Sequence, residues 1–123
     1  FAAADLSRAA ILHFRKHGGG RIVYMGSRSG QRGYMSNAMA YAASKAGVHK
    51  LTEALAEELA GTAVTVNAIL PSIIDTPTNR KDMPDADTSQ WVQTAAIAEV
   101  ILFLASDAAR AITGALIPVT RGG

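Results

Sequence analysis

The hydrophobic positions of this chain follow two patterns that alternate along its length. In three segments, apolar residues recur every three or four positions: 1–16, 40–60 and 94–106. Three other segments are short apolar runs bounded by glycine or proline: 21–25, 64–70 and 115–119. The first pattern predicts amphipathic helices, and the second predicts buried strands. We therefore expect helix, strand, helix, strand, helix and strand, in that order.

This alternation predicts an α/β fold with a parallel sheet. A strand, a long helix and a second strand in succession imply a right-handed crossover between parallel strands. Ligands of such sheets bind at the carboxyl ends of the strands. That edge would carry the turn at Gly26-Ser27, directly after the first strand, and the segment that begins at Pro71, directly after the second.

Two stretches match neither pattern and are predicted as loops. Gln31 to Met39 contains glycine, serine and asparagine and leads into the long helix. Ser72 to Gln93 contains two prolines, several aspartates and the single tryptophan, Trp91. A loop of that length is usually a lid, a binding loop or a disordered segment, and we expect Trp91 to anchor it by packing. Thr94 is expected to cap the third helix.

Composition narrows the classes of function. The net charge of +2 is spread along the chain without a block of like charges, which indicates a solvated surface and no nucleic-acid site. The absence of cysteine excludes disulfides and thiolate ligands and suits a reducing, cytoplasmic location. The histidines lack metal-ligand spacing, so we predict no metal site, and His49 is expected on a solvated helix face. No apolar run approaches the roughly 20 residues that span a bilayer, so no membrane segment is predicted.

Tyr41 and Lys45 are a candidate pair for proton transfer. Their i, i+4 spacing places the phenol and the ammonium on one face of the predicted helix, one turn apart. A cation beside a tyrosine stabilises the phenolate, which helps the residue to act as an acid or a base. Such pairs are common on helices, so the spacing alone leaves a structural role open.

The strings around this pair carry a resemblance to a known family. Four of them follow in order: GRIVYMGSRSG, YAASKAGVHKLTEALAEEL, VTVNAILPSIIDT and ITGALIPV. Together they resemble the C-terminal half of the short-chain dehydrogenase/reductase family, across nearly the whole chain. The resemblance implies half of a Rossmann-type, doubly wound parallel sheet with helices on both faces, a three-layer α/β/α arrangement. Residues 1–123 would then be a single partial domain without the N-terminal, cofactor-binding half.

The resemblance assigns roles to three catalytic residues. Tyr41 would exchange a proton with the substrate oxygen, and Lys45 would hold the nicotinamide ribose and stabilise the tyrosine anion. Ser27 would hydrogen-bond the substrate carbonyl or alcohol. Ser27 precedes Tyr41 by fourteen positions and Ser29 precedes it by twelve, on either side of the usual family spacing. We prefer Ser27, because it follows the strand directly and opens the family's S-x-x-G turn, which ends at Gly30.

Pro71 to Thr76 is similar to the family's cofactor loop, P-G-x-x-x-T. By this resemblance the loop contacts the nicotinamide, with Thr76 bonded to the carboxamide and Ile74 packed beside it. Ser72 replaces the family's glycine, which adds a side chain where the backbone usually runs close to the cofactor. Asn67, in the preceding strand, is expected to be structural.

The resemblance implies an enzyme that transfers a hydride between NAD or NADP and a small-molecule carbonyl or alcohol substrate. Members of the family commonly form dimers or tetramers, so a homo-oligomer is expected. One alternative is a dihydropteridine reductase-like enzyme, because residues 70–91 resemble quinonoid dihydropteridine reductases, a branch of the same family. The other is a truncated, non-catalytic module held by oligomeric contacts. The fragment alone is expected to be inactive.

Overall fold

The structure is a computed structural model that describes residues 2–28 and 39–121. Ser29, Gly30, most of the predicted loop at 31–39 and the two final glycines lie outside the described residues. The structure thus describes Ser27 but not Ser29, and the preference for Ser27 stays a prediction.

The described residues form helices and strands close to the predicted ones. The helices, numbered in chain order, are α1 (Ala2–His17), α2 (Met39–Glu58), α3 (Pro77–Asp82) and α4 (Thr94–Ala105). The strands are β1 (Gly20–Met25), β2 (Val64–Pro71), β3 (Ile74–Asp75), β4 (Val92–Gln93) and β5 (Leu116–Val119). The helices and strands expected from the hydrophobic pattern are thus confirmed to within two residues. Thr94 begins α4 instead of capping it, because Gln93 occupies the cap position.

Within the described residues, the main sheet has three parallel strands in the order β1-β2-β5, which confirms the predicted parallel α/β fold. β2 is the central strand, and all of its residues are buried. A parallel strand covered on both faces by helices buries successive side chains, which accounts for the continuous apolar run at positions 68–70. β1 and β2 are joined through α2 and form the expected crossover pair.

Helices cover the sheet on both faces. On one face, Tyr24 of β1 belongs to a cluster with Val48 of α2 and with residues of α1. On the other face, Ile69 of β2 belongs to a cluster with Leu104 of α4, and both side chains are fully buried. The three layers are those expected for part of a Rossmann fold. None of the helices in the described residues is both long and apolar enough to cross a membrane.

Asn67 is a buried polar residue in the middle of β2. Its Nδ2 donates to the carbonyl of Ile112 at 3.0 Å, and its Oδ1 accepts from the N–H of Ala115 at 3.0 Å. The side chain therefore fastens the turn before β5 to the central strand, which agrees with the structural role expected for it.

Residues 72–93 are not the irregular loop that their composition predicted. β3 and β4 pair in parallel near the two ends of the segment, and α3 lies between them. α3 begins at Pro77 because the Oγ1 of Thr76 caps it, accepting from the N–H of Asn79 at 3.1 Å. The prediction was wrong because each of these elements is shorter than the window over which a periodicity can be seen.

Candidate active site

A cavity of about 640 Å³ lies at the carboxyl ends of β1 and β2, the edge at which the sequence predicted a ligand. Its walls come from the turn after β1, the first turn of α2, and the segment that follows β2. Five of the predicted site residues line it: Ser27, Tyr41, Pro71, Ser72 and Ile74. The other two, Lys45 and Thr76, are not among its lining residues.

The turn after β1 brings Ser27 into the wall of the cavity. The N–H of Gly26 donates to the carbonyl of Ile69 at 2.8 Å, which extends the pairing with β2 past the end of β1. Ser27 is buried, and its N–H donates to the Nε2 of His49 at 3.2 Å. Both bonds use backbone groups of the turn, so its course is fixed independently of the serine hydroxyl.

Tyr41 and Lys45 lie on one face of α2, as their spacing predicted. Tyr41 lines the cavity, and 52% of its surface is exposed. The Nζ of Lys45 lies 5.8 Å from the centroid of the Tyr41 ring, within the range of a cation–π contact. The same Nζ donates to the carbonyl of Met25 at 2.8 Å. Lys45 therefore joins α2 to the end of β1 and brings a positive charge close to the tyrosine.

His49 is not on a solvated face of the helix, so that prediction was wrong. The residue is only 5% exposed, because its imidazole lies against Gly26, where no side chain intervenes. Burial lowers the pKa of the imidazole below its usual value, and the nearby Lys45 lowers it further, while Glu53 opposes the shift. Burial and Lys45 therefore both favour the neutral ring. The sequence signals were its position four residues after Lys45 and the glycine before Ser27.

The residues after β2 offer polar groups to a nicotinamide. The Oγ of Ser72 is buried in the cavity wall and has no hydrogen-bond partner within the part of the chain that the structure describes. A carboxamide presents both a donor and an acceptor to such a hydroxyl. Thr76 uses its Oγ1 as an acceptor toward α3, which leaves its O–H to donate. The Ser72 hydroxyl, in the cavity wall, therefore fits the nicotinamide group that the family resemblance implies.

Two lining residues were not predicted as part of the site. Arg28 follows Ser27, and its Nη1 donates to the Oγ1 of Thr120 at 3.3 Å, which ties the turn to the end of β5. Asn79 lines the cavity from α3, and its Nδ2 donates to the carbonyl of Ile74 at 2.8 Å. No spacing reveals Arg28, since its contact joins distant parts of the chain, and Asn79 was missed because the short helix that carries it was not predicted.

Trp91 lines the cavity from the far end of the 72–93 segment. It is 4% exposed, in agreement with the packing role expected for it. Its neighbour Val92 donates its N–H to the carbonyl of Ile73 at 2.8 Å, which closes the segment on itself. The tryptophan is therefore both a wall of the cavity and an anchor of this segment.

A small polar network holds the segment together at its surface. Arg80 donates from Nε to Asp75 at 2.6 Å and from a terminal nitrogen at 3.0 Å, and Gln93 donates to the same carboxylate at 3.0 Å. These hydrogen bonds, chiefly that of Arg80, lower the pKa of Asp75 to about 2. One carboxylate thus links β3 to both α3 and β4.

Comparison with known proteins shows the family of this chain. Residues 1–123 match the protein-family model described as enoyl-(acyl carrier protein) reductase. The chain belongs to the short-chain dehydrogenase/reductase family. It is 40% identical, over 126 aligned residues, to 3-oxoacyl-(acyl-carrier-protein) reductase FabG of Pseudomonas aeruginosa, covering 95% of this chain and 50% of that protein. The chain spans about half the length of the relatives it matches.

Solved structures of short-chain reductases share the fold. A short-chain type dehydrogenase/reductase from Mycobacterium ulcerans gives a TM-score of 0.90 at 27% identity, covering 98% of this chain and 47% of that one. Actinorhodin polyketide ketoreductase, solved with NADPH, gives a TM-score of 0.77 at 32% identity, covering 89% of this chain and 49% of that one. The resemblance of residues 70–91 to dihydropteridine reductases is supported by none of these three proteins and stays a prediction.

Proposed function

We propose that this chain supplies the proton-transfer part of an NAD(P)-dependent oxidoreductase that interconverts a carbonyl and an alcohol. The observation that carries the proposal is that Ser27 and Tyr41, from two separate elements, line one cavity at the strand ends. Lys45 adds a positive charge 5.8 Å from the tyrosine ring. A hydroxyl and a phenol in one cavity, with a cation beside the phenol, are groups that can orient, stabilise and protonate a carbonyl oxygen.

Each of the three residues has a role that follows from its position. In the direction of reduction, the Tyr41 phenol donates its proton to the substrate oxygen as negative charge develops there. The Ser27 hydroxyl donates a hydrogen bond to the same oxygen and so orients the carbonyl. Lys45 stabilises the resulting phenolate, because a nearby ammonium favours the anionic form. The phenolate oxygen then regains a proton from water, which can reach Tyr41 because the residue is exposed.

The residues of this chain also hold the reactive end of the cofactor. A bound nicotinamide supplies the hydride, and with it the two electrons that reduce the carbonyl carbon. Six residues are proposed to contact it: Tyr41 and Lys45 at the ribose, and Pro71, Ser72, Ile74 and Thr76 at the nicotinamide. The Ser72 hydroxyl, buried without a partner among the described residues, supports this assignment.

A 3-oxoacyl thioester is the proposed substrate class. The relative from Pseudomonas aeruginosa is named for 3-oxoacyl groups, and the NADPH-containing structure is named a ketoreductase. The cavity also suits an acyl chain, because several of its lining residues are apolar: Met25, Ile73, Met83 and Trp91. A ketone could therefore lie near Ser27 and Tyr41 while the carbon chain contacts this apolar wall.

A comparison of matched tyrosine variants tests the proposal. The protein, expressed with its flanking coding sequence, would be assayed for oxidation of NADPH and NADH with acetoacetyl-CoA, a simple 3-oxoacyl thioester. We expect Tyr41→Phe to lower kcat/KM by about 1000-fold, within the range for loss of a general acid. Tyr24→Phe removes the same atom from a buried tyrosine that bonds Ser7 outside the cavity, and should leave the rate nearly unchanged.

The outcomes separate the alternatives. Equal rates for the wild type and Tyr41→Phe would contradict the assignment of Tyr41. A wild-type protein that neither oxidises NAD(P)H nor binds it, measured by nicotinamide fluorescence, would favour the non-catalytic module. Reduction of a quinonoid dihydropterin, without reduction of acetoacetyl-CoA, would favour the dihydropteridine reductase alternative.

We also propose that the protein forms a homo-oligomer through α1 and α2. Leu6 and Leu12 of α1 are 74% and 58% exposed, and a groove beside Leu12 is lined by Leu51 and Leu55 of α2. Apolar side chains grouped on adjoining helices favour burial against a second copy of the chain. Analytical ultracentrifugation should show that Leu12→Glu shifts the protein to a smaller species, and an unchanged assembly would contradict this interface.

A further inference from the structure

We infer that His49 is a positioning residue that fixes Ser27 relative to Tyr41, an inference that rests on the proposed function. His49 does not line the cavity, and no role is carried to it by the family resemblance. It acts from behind the wall, on the backbone of the turn that bears the serine. Its effect on the reaction would therefore pass entirely through Ser27.

The geometry begins with one face of α2. Tyr41, Lys45 and His49 follow one another at steps of four residues. Four residues turn a helix by about 400°, so the three side chains stay on one face while advancing along it. Lys45 bonds the carbonyl of Met25 at 2.8 Å, and His49 accepts from the N–H of Ser27 at 3.2 Å. Tyr41 and Ser27 are thus connected through one rigid helix.

Gly26 makes this contact possible. A Cβ at that position would lie 2.6 Å from the Nε2 of His49 and 2.8 Å from its Cδ2, closer than real atoms approach. The imidazole therefore occupies the space that a side chain at position 26 would take. The ring opposes movement of the turn toward α2, and the hydrogen bond from the Ser27 N–H opposes movement away from it.

The bond requires a neutral imidazole with a bare Nε2. An acceptor nitrogen carries no proton, so the hydrogen of the neutral ring must lie on Nδ1. Burial and Lys45 both lower the pKa of His49, and Glu53 is the charged group that opposes them. On the strand side the ring faces the backbone of Gly26 and Ser27. The lowered pKa thus favours the neutral imidazole, the form that can accept the hydrogen bond from Ser27.

A double-mutant cycle tests whether His49 acts through Ser27. In the protein expressed with its flanking coding sequence, His49→Leu removes the acceptor, whereas His49→Gln keeps an amide oxygen that can accept. Each change would be made in the wild type and in Ser27→Ala, with kcat and KM measured for acetoacetyl-CoA. We expect His49→Leu to lower kcat by about tenfold or more with little change in KM, because a displaced serine orients the carbonyl poorly.

The conservative variant and the double mutants decide the outcome. His49→Gln should recover most of the lost kcat, and neither His49 variant should slow the enzyme further once Ser27 is alanine. If the His49 variants lowered kcat by the same factor in Ser27→Ala as in the wild type, the inference would be overturned. The same holds if the kcat of His49→Gln were as low as that of His49→Leu. If Tyr41→Phe also retained the wild-type rate, the proposed function itself would have failed, so the two failures are distinguishable.

A measurement on the unmutated protein guards against variants that do not fold. The ¹⁵N chemical shifts of the His49 ring report its tautomer, and a coupling across the hydrogen bond would link Nε2 to the Ser27 amide. We expect the Nδ1–H tautomer near neutral pH. A ring that carries its proton on Nε2 would overturn the inference whatever the rates of the variants.

Discussion

The two walls of the cavity are held in place in different ways. One wall is the turn after β1, whose contacts reach distant parts of the chain: Gly26 with Ile69, Ser27 with His49, and Met25 with Lys45. The other wall is the segment 72–93, whose polar contacts are mostly internal: Asn79 with Thr76 and Ile74, and Asp75 with Arg80 and Gln93. The first wall is bonded directly to the sheet and to α2, whereas the second is bonded mainly to itself and meets the core through Val92.

This difference suggests that the two walls have different roles in catalysis. Local opening costs less free energy where contacts are few and internal to one segment. The turn is therefore suited to hold reacting groups in a fixed geometry, and the segment is suited to admit and cover a substrate. Changes in the turn should lower kcat, and changes in the segment should mainly raise KM.

Among the changes that test this comparison of the two walls, Gly26→Ala should have the largest effect. In Gly26→Ala, the new Cβ would lie 2.6 Å from His49 and 3.2 Å from the carbonyl of Ile69, so the turn must shift. We expect kcat to fall by about 100-fold, because small displacements of reacting groups can cost that much. Gly47→Ala in α2 is the matched control, since a Cβ there meets no described residue within 4 Å. Steady-state kinetics that show no loss in kcat for Gly26→Ala would refute a rigid turn.

Trp91→Ala should give the next largest effect, and on the opposite wall. Loss of a buried tryptophan costs about 3 to 5 kcal/mol, here drawn mainly from the stability of the 72–93 segment. We expect KM for acetoacetyl-CoA to rise more than kcat falls, and Trp91→Phe to retain much of the affinity. A variant that loses kcat at constant KM would show that both walls serve the chemistry.

Thr76→Ala should have a smaller effect on stability, centred on α3. The change removes the cap on Asn79 and should cost about 1 kcal/mol of local stability, seen as faster amide hydrogen exchange in α3. Thr76→Ser keeps the hydroxyl and is the matched control. Equal exchange rates in the two variants would mean that the cap does not limit opening of the segment.

The smallest effect is expected from acid titration of Asp75. Its pKa in the folded protein is about 2, below its ordinary value of 3.8. The hydrogen bonds of the carboxylate therefore stabilise the segment fully at pH values above 3.8. That contribution should be lost as the pH falls from about 4 through about 2, as the carboxylate takes up a proton. Trp91 fluorescence would follow opening of the segment over this range. Asp75→Asn should flatten the profile, and an unchanged profile would assign the transition to other carboxyls.

The sequence was most informative where structure depends on local periodicity. The strands β1 and β2, the helix α2 and the pairing of Tyr41 with Lys45 all follow from spacing within one element. His49 was misplaced because its burial depends on Gly26, a contact between residues that are distant in the chain. Thr76 before Pro77 is a typical start of a helix, but the helix is only six residues long and shows no periodicity of its own.

The side chain of Asn67 has a consequence for how the strand ends come into alignment. An amide side chain has the same kinds of donor and acceptor as a peptide group. The Asn67 side chain therefore forms two hydrogen bonds to the backbone before β5, as a neighbouring strand would. It selects the register in which Ala68 faces Leu116 and Pro71 faces Val119. A slip by one residue would turn every side chain of β5 to the opposite face of the sheet. The alignment of the strand tips around the cavity is thus set several residues away, in the middle of the sheet.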